Sequence, residues 1–294
     1  MEAEGKTIGI IGLGLIGGST ALRLKQKGFA TKVLGYDYSE SHLKEALDLG
    51  VINESVDLDE MLIRATVIII AIPVDATKKL LPSLLNQCSK SQVILDMGST
   101  KSAIAASVIN HPNRARYVAC HPIAGTENNG PSAAFSSLFE RKVNIICDQE
   151  LSSEQARKEA LSITQQLGMR PKFMNSQEHD RHIAYVSHLS HISSFTLGQT
   201  VLEVEKDEEN IFDMAGSGFA STVRLAKSSP DMWAPIFIEN ATNILTVLSA
   251  YIANLENYKT MIEQSNETAL RKAMEQTNII REVLDGDSIS IKNK

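Results

Sequence analysis

Three side chains in separate segments could carry out chemistry on a small anionic molecule. His121 opens the segment HPIAGTE after a short apolar run, and an imidazole there could accept a proton while a hydride leaves. Ser99 lies in the segment DMGSTK, where its hydroxyl could either orient a substrate or cap the following helix. Arg224 could bind a carboxylate through two parallel hydrogen bonds, although a surface or helix-capping role is also open. These residue types predict acid–base chemistry on a carboxylate-bearing molecule.

Further histidines occur in a region with helical periodicity. They are His179, His182, His188 and His191. On a helical wheel His191 shares a strip with Asp180, Ala184 and Ser187, and these small or polar residues could line a cleft. A zinc site is not favoured, because the histidine spacing lacks an HExxH pattern and a thiolate partner. We therefore predict no metal.

The clearest ligand signal is a glycine-rich turn after the first predicted strand. Its residues are Gly12, Leu13, Gly14, Leu15, Ile16 and Gly17. Gly12 permits a tight turn, Gly14 lets the backbone approach a pyrophosphate, and Gly17 lets helix and strand pack closely. Asp37 lies 20 residues beyond Gly17, where a carboxylate can accept ribose hydroxyls and repel a 2′-phosphate. The pattern predicts NAD, with FAD or a glycine turn that binds no dinucleotide as alternatives.

The elements that must position these residues fall into two regions. Runs that are apolar throughout are typical of strands buried on both faces, and helical patterns separate them. We predict an N-terminal Rossmann-like, doubly wound, mostly parallel sheet. Its predicted strands are Thr7–Ile11, Lys32–Tyr36, Val67–Ala71, Gln92–Asp96, Tyr117–Cys120 and Lys142–Ile146, with an edge strand over Arg170–Met174.

Beyond about residue 176 the strand signal gives way to long helical patterns. The predicted helices are His179–Leu202, Met232–Gln264 and Glu267–Leu284. The first is apolar around most of its circumference, so it must be enclosed, and this helical region alone has little room to enclose it. We therefore predict an NAD-binding domain over residues 1–175 and an all-helical substrate and dimerisation domain over residues 176–294, the latter paired with a second copy.

Composition narrows the function classes. The chain is 43% apolar and 22% charged, as in an ordinary globular protein. Its net charge of -6 provides no overall positive field to attract nucleic acid or a membrane surface. The three cysteines form no CxxC pair, and the N-terminus lacks a signal-peptide pattern, so we expect a cytoplasmic protein.

Taken together, these segments resemble the prephenate dehydrogenase family. The resemblance covers nearly the whole chain and rests on six features in the family's order: GLGLIGGS, the aspartate at 37, DMGSTK, HPIAGTE, HDRHIAYVSHLSH and GSGFASTVRLAKSSPDMW. The family has a Rossmann domain followed by a helical dimerisation domain. This chain looks like the short form, with no room for a regulatory ACT domain or a chorismate mutase segment.

The resemblance implies a specific reaction and specific roles. NAD+ takes a hydride from C4 of prephenate, the C4 hydroxyl loses its proton, and the C1 carboxylate departs as CO2. His121 matches the catalytic histidine and Ser99 the assisting serine. Arg224 and His191 match substrate-binding residues, Thr126 and Glu127 sit at the pocket edge, and His179 supports the site.

The chain departs from the family pattern near one substrate anion. Ala220 stands where the family often has Lys or Arg, Ser221 where it has Asp, and Val223 where it has Thr. The choice between prephenate and arogenate is therefore open, with prephenate expected. Two other classes also remain: another Rossmann hydroxyacid dehydrogenase, for which Lys227 is the available catalytic lysine, and a non-catalytic NAD-binding protein.

Overall fold

The chain is described by a computed structural model that covers residues 5–205 and 211–284. Within these residues, one eight-stranded sheet has the order β3-β2-β1-β4-β5-β6-β7-β8. The strands are β1 (Lys6–Ile11), β2 (Ala30–Tyr36), β3 (Glu54–Ser55), β4 (Val67–Ile70), β5 (Val93–Asp96), β6 (Tyr117–Pro122), β7 (Val143–Cys147) and β8 (Arg170–Met174). All neighbours are parallel except β6 and β7. The predicted mostly parallel, Rossmann-like sheet is confirmed.

Buried aliphatic residues explain why these segments form the centre of the sheet. Ile8, Ile10, Ile68 and Ile69 are fully buried, and the two faces of the sheet carry separate apolar clusters. Only strands covered by helices on both faces can bury successive residues in this way. The two-residue strand β3 was not predicted, because a pair of polar residues has no apolar periodicity to detect.

Six helices accompany the sheet. They are α1 (Leu15–Gln26), α2 (Glu40–Asp48), α3 (Leu58–Arg64), α4 (Val74–Gln87), α5 (Ser102–Ser107) and α6 (Glu154–Gln166). The side chain of Ser153 caps α6 by accepting from the amide of Ala156, and Gly168 follows with a φ of 77°. The sequence Ser152-Ser153-Glu154-Gln155 predicts a helix start and Gly168 a helix end, and both predictions are confirmed.

The helical region is more interrupted than its periodicity predicted. Its helices are α7 (Ser176–Ile183), α8 (Leu189–Glu205), α9 (Ser217–Thr222), α10 (Pro230–Glu239), α11 (Ala241–Glu263), α12 (Glu267–Thr277) and α13 (Ile280–Leu284). A π-helical turn over Ala184–His188 divides the predicted helix His179–Leu202. The predicted helix Met232–Gln264 is wrong as a single element, because it breaks at Asn240, and the predicted Glu267–Leu284 also divides in two.

The break at Asn240 has a physical cause in its side chain. Its Nδ2 donates to the carbonyl oxygen of Asp180 at 2.7 Å and lies 3.2 Å from Nδ1 of His188. When a short polar side chain forms bonds of this kind, they compete with the regular hydrogen bonding of a helix. The apolar periodicity of the sequence gives no sign of them. The chain divides into two compact units, Met1–Ile244 and Leu245–Lys294, and all site residues discussed below lie in the first.

Two further predictions concern cysteines and membranes. Cys88, Cys120 and Cys147 are free and buried. No single helix in the described ranges is long and apolar enough to cross a membrane; Pro230–Glu239 and Ala241–Glu263 meet that criterion only when they are taken together.

Candidate active site

The glycine-rich turn has the geometry expected of a pyrophosphate-binding loop. Gly12 has a φ of 92°, and a Cβ there would meet the carbonyl oxygen of Ala71 at 2.5 Å. A Cβ on Gly17 would lie 1.9 Å from the carbonyl oxygen of Gly12, so a side chain would push helix and turn apart. The space beside Gly14, which precedes α1, is open. The turn therefore fits a dinucleotide.

The side chains in this turn serve the fold. Leu13 and Leu15 are buried in the core, and Ile16 packs against it. Contacts with a cofactor are thus left to the backbone of the turn.

Asp37 lies at the end of β2, beside the same turn. Its Oδ2 accepts from the amide of Leu13 at 2.8 Å, and its Oδ1 accepts from the amide of Ser39 at 2.9 Å. The imidazole of His42 lies 3.5 Å from Oδ1. These contacts fix the carboxylate directly after β2, the position from which an acidic residue binds adenosine ribose hydroxyls in Rossmann folds.

His121 is the penultimate residue of β6, so it lies within the strand and not in the loop that follows. It pairs with Ile145 across the antiparallel ladder and is 9% exposed. Its Nδ1 lies 2.8 Å from Nε2 of His179, which is 1% exposed. His179, grouped with the substrate-binding residues from the sequence, therefore contacts His121 from within the protein.

Asp180 completes this chain and joins it to α5. Its Oδ1 lies 2.8 Å from Nδ1 of His179. The amide of Lys101 donates to Oδ1 at 2.7 Å, and the amide of Ser102 donates to Oδ2 at 2.8 Å. Helix α7, which carries His179, is thereby attached to the start of α5.

Ser99 does not cap the helix that follows it. Helix α5 begins at Ser102 with Lys101 at the N-cap, and its first amides are bonded by Asp180 instead. The capping interpretation of Ser99 is therefore wrong. The half-buried Ser99 lies in the segment that leaves the end of β5, the strand next to β6.

A buried ionic cluster lies beside these residues, and the sequence reasoning missed it. Lys101 and Asp96 form a fully buried ion pair, and the Tyr117 hydroxyl donates to the same carboxylate. Lys101 also donates to the carbonyl oxygen of Cys120 at 2.7 Å, next to His121. The sequence signal for this ion pair was a lysine, Lys101, five residues after an aspartate at the end of a predicted strand, Asp96.

Arg224 forms an ion pair with Glu127 across a wide sequence separation. Its Nη1 lies 3.1 Å from Oε2 of Glu127, and both side chains are partly exposed. A hydrogen bond within Glu127, with Arg224 and Lys227 nearby, holds the pKa of that carboxyl below its usual range. Arg224 is more than half exposed, and its guanidinium reaches the loop after β6.

This loop borders an open cavity of about 490 Å³. Its lining residues are Glu127, Asn128, Asn129, Ser132 and Ala133. The hydroxyl of Thr126 accepts from the amide of Asn128 at 3.2 Å, so Thr126 shapes the loop. The cavity is large enough for part of a small substrate or cofactor.

His191 lies against a tryptophan that the sequence reasoning did not select. Its ring stacks on Trp233 with centroids 3.4 Å apart, and its Nδ1 lies 3.0 Å from the carbonyl oxygen of Ser187. The buried His188 meets the edge of Trp233 at 5.9 Å. Trp233 belongs to the segment SSPDMW, which can be read from the sequence, but its stacking on His191 is seen only in the fold.

Burial sets the charge of the histidines. Desolvation lowers the pKa of His121 well below its ordinary value, with His179, Lys101 and His188 adding to the effect. Desolvation also lowers the pKa of His188 to about 4 and lowers that of His191. Near pH 7 His121 is therefore a neutral imidazole, the form able to accept a proton.

Contacts link the predicted residues into one arrangement. His121, His179 and Asp180 form one chain, and Asn240 connects Asp180 to His188. Trp233 then joins His188 to His191, whose pKa Arg224 influences. The described residues contain no cluster of three or more His, Cys, Asp or Glu able to hold a metal.

Comparison with known families matches both halves of the chain. The nucleotide-binding domain of prephenate dehydrogenase matches residues 20–172, and the dimerization domain of prephenate dehydrogenase matches residues 175–276. The chain belongs to the prephenate dehydrogenase family.

Individual relatives of the prephenate dehydrogenase family agree over most of their length. Cyclohexadienyl dehydrogenase from Zymomonas mobilis is 33% identical over 96% of this chain and 97% of that protein. Prephenate dehydrogenase from Bacillus subtilis is 31% identical over 88% of this chain and 71% of that protein. A crystal structure of prephenate dehydrogenase from A. aeolicus, in complex with hydroxyphenyl propionate and NAD+, is 28% identical with a TM-score of 0.88, covering 97% of this chain and all of that one.

Proposed function

We propose that this chain catalyses the NAD-dependent oxidative decarboxylation of prephenate to 4-hydroxyphenylpyruvate in tyrosine biosynthesis. The main support for this proposal is His121, which is buried and neutral and lies in contact with His179. It lies on the strand next to β5 in a dinucleotide-binding sheet. Family membership makes the chain an NAD-dependent oxidoreductase. The reaction that the family name specifies needs one base, and this histidine supplies it.

The cofactor would be held by residues of the turn and the second strand. The backbone of Gly12, Leu13, Gly14, Leu15, Ile16 and Gly17 forms the pyrophosphate site, and Asp37 accepts the ribose hydroxyls. When bound there, the nicotinamide supplies the hydride acceptor. No metal is needed for this chemistry.

His121 acts on the hydroxyl at C4 of the substrate. It takes the hydroxyl proton as a hydride departs from C4, and the bond from C1 to the carboxylate breaks to release CO2. The electron pair from that bond enters the ring, which becomes aromatic. His121 returns its proton to the oxygen that becomes the phenol, so prephenate and NAD+ give 4-hydroxyphenylpyruvate, CO2 and NADH without net proton release.

The remaining site residues bind and orient the substrate. Arg224 binds a substrate carboxylate through its guanidinium. In this structure the carboxylate of Glu127 is paired with that guanidinium instead. His191 is held by its stacking on Trp233 and forms one side of the substrate site. Thr126 shapes the loop beside Glu127. Ser99 lies in the segment that follows β5, the strand that pairs with the strand of His121, and it orients the C4 hydroxyl.

Arogenate is the second candidate substrate. Ala220 is exposed on α9 and brings no cation, whereas Lys227 is close enough to lower the pKa of Glu127. Lys227 could therefore replace the missing cation for the keto acid side chain, which favours prephenate. Prephenate and arogenate share a cyclohexadienyl ring, and the name of the relative cyclohexadienyl dehydrogenase fits either substrate.

The same proposal includes the organisation of the protein. A boundary near residue 175 is supported by the two family matches, which meet there. A homodimer through residues 176–294 is supported by the name of the second match and by exposed apolar residues such as Val186 and Leu202. Three free, buried cysteines support a cytoplasmic location.

One assay tests the function. The purified protein is incubated with NAD+ and either prephenate or arogenate, while NADH absorbance and released CO2 are measured. Equal amounts of NADH and CO2, with a higher kcat/KM for prephenate, are expected. NADH without CO2 would indicate a hydroxyacid dehydrogenase, and bound NAD without turnover would indicate a non-catalytic protein.

A further inference from the structure

The chain of groups behind His121 contains a buried carboxylate whose hydrogen bonds have a fixed direction. Both oxygens of Asp180 receive backbone amides, from Lys101 and Ser102, and an amide can only donate. Two such donors, together with His179, hold the pKa of Asp180 below its ordinary value despite burial, which alone would raise it. Asp180 is therefore an ionised acceptor.

The direction of one bond determines the next. Because Oδ1 of Asp180 can only accept, Nδ1 of His179 carries a hydrogen and donates across 2.8 Å. A neutral His179 then has no hydrogen on Nε2. That nitrogen lies 2.8 Å from Nδ1 of His121, so with His179 in its neutral form Nδ1 of His121 is the donor.

We infer that Asp180 and His179 are positioning residues that select the tautomer of His121, leaving its Nε2 as the lone pair that takes the substrate proton. This role rests on the proposed function of His121 as the base. After proton transfer, Nδ1 of His121 still carries its hydrogen and still donates to His179, so the bond chain need not rearrange during turnover.

The surroundings of His121 favour this single arrangement. The charged or titratable groups that face it are His179 from α7, Lys101 before α5 and His188 from the π-helical turn. Lys101 donates to Cys120 and to Asp96, so two of its three ammonium hydrogens are committed elsewhere. Among these groups, His179 is the one in hydrogen-bond contact with Nδ1 of His121.

Reversing the tautomer should remove the base without removing the ring. In Asp180→Asn the amide can donate to Nδ1 of His179, which would place a hydrogen on Nε2 of His179 and on Nε2 of His121. We expect kcat to fall about 10²- to 10⁴-fold, the range for a misdirected or missing base, while the Kd for NAD+ stays unchanged.

The decisive measurement is the ¹⁵N spectrum of histidine-labelled protein above pH 7, with the His121 signals assigned from their loss in His121→Asn. The wild-type protein should show a protonated Nδ1 and an unprotonated Nε2 on His121. Asp180→Asn should show the reverse. A wild-type His121 with its hydrogen on Nε2 overturns the inference, even if prephenate turnover is normal.

Two further variants separate positioning from folding. His179→Gln can present a carbonyl oxygen to Nδ1 of His121 and should recover most of the kcat lost in His179→Leu, whereas equal losses in both variants count against the inference. Ser107→Ala is the matched control, since it loses the 2.7 Å bond from its hydroxyl to the carbonyl oxygen of Ile104 on the same helix α5 but lies outside the histidine chain. Its kcat and its His121 tautomer should match wild type; a large loss there would assign the effect to disturbance of α5.

Discussion

The imidazole of His191 stacks on the indole of Trp233, with ring centroids 3.4 Å apart and planes inclined by 24°. Trp233 is the single tryptophan of the chain, so intrinsic fluorescence reports on this contact directly. A protonated imidazole quenches indole emission more than a neutral one. Because burial lowers the pKa of His191, emission should begin to fall only below the ordinary histidine range near 6.5.

The second histidine on Trp233 provides an internal comparison. His188, with a pKa of about 4, should produce a later fall in emission as the pH drops further. His191→Asn should remove the first fall and keep the second. Emission in His191→Asn that still titrates as in wild type would show that the stack is absent in solution.

Replacing the proposed base should affect chemistry more than binding. His121→Asn keeps a polar side chain on β6 but cannot accept a proton, so kcat should drop about 10²- to 10⁴-fold. The Kd for NAD+, measured by titration, should be unchanged because the glycine turn is untouched. A variant that turns over prephenate as fast as wild type would remove His121 from the mechanism.

The pH dependence of activity should reflect the burial of His121. Its pKa is depressed, so the imidazole is neutral and active throughout the ordinary histidine range and becomes protonated only at lower pH. The kcat/KM for prephenate should therefore be level near pH 7 and fall on the acid side, with a midpoint below about 6.5. A midpoint at or above that value would contradict a buried, neutral base.

Arg224 should matter for substrate capture. Charged hydrogen bonds contribute about 1.5 to 3 kcal/mol, so Arg224→Ala should raise KM for prephenate roughly ten- to a hundredfold with a smaller change in kcat. Arg271→Ala is a suitable control, because Arg271 is also exposed and paired with a glutamate, Glu267. Unchanged KM in Arg224→Ala would exclude it from the substrate site.

Asp37 should set both affinity for NAD+ and discrimination against NADP+. Loss of its charged hydrogen bonds in Asp37→Ala should weaken NAD+ about ten- to a hundredfold, while repulsion of a 2′-phosphate disappears. Calorimetric titration with both cofactors measures the ratio of the two Kd values. The exposed Asp59→Ala serves as the control, and an unaltered ratio in Asp37→Ala would rule out the ribose contact.

The sequence predicted what local patterns determine. The glycine turn, the buried strands and the cap of α6 depend on residues close together in the chain, and each was confirmed. The prediction for Asp37 depends on the same kind of local pattern, because its distance from the turn is set by one βαβ unit.

The missed features depend on partners far apart in the chain. The contact between His121 and His179 spans 58 residues, and the bond from Asn240 that breaks the predicted helix Met232–Gln264 spans 60. Neither leaves a periodic signature. The π-helical turn that ends at His188, whose ring meets the edge of Trp233, likewise has no such signature. Sequence reasoning thus selected His121 and His179 separately but could not show that they are in contact.

The buried ion pair of Lys101 and Asp96 divides the site into parts with different tolerance to mutation. Removing one member would leave a charge in a dry interior, a cost of several kcal/mol that would threaten folding itself. The partly exposed pair of Arg224 and Glu127 can be altered at little cost to stability. Substitutions that alter substrate preference are therefore compatible with folding at Arg224 and Glu127, whereas single substitutions at Lys101 or Asp96 are not.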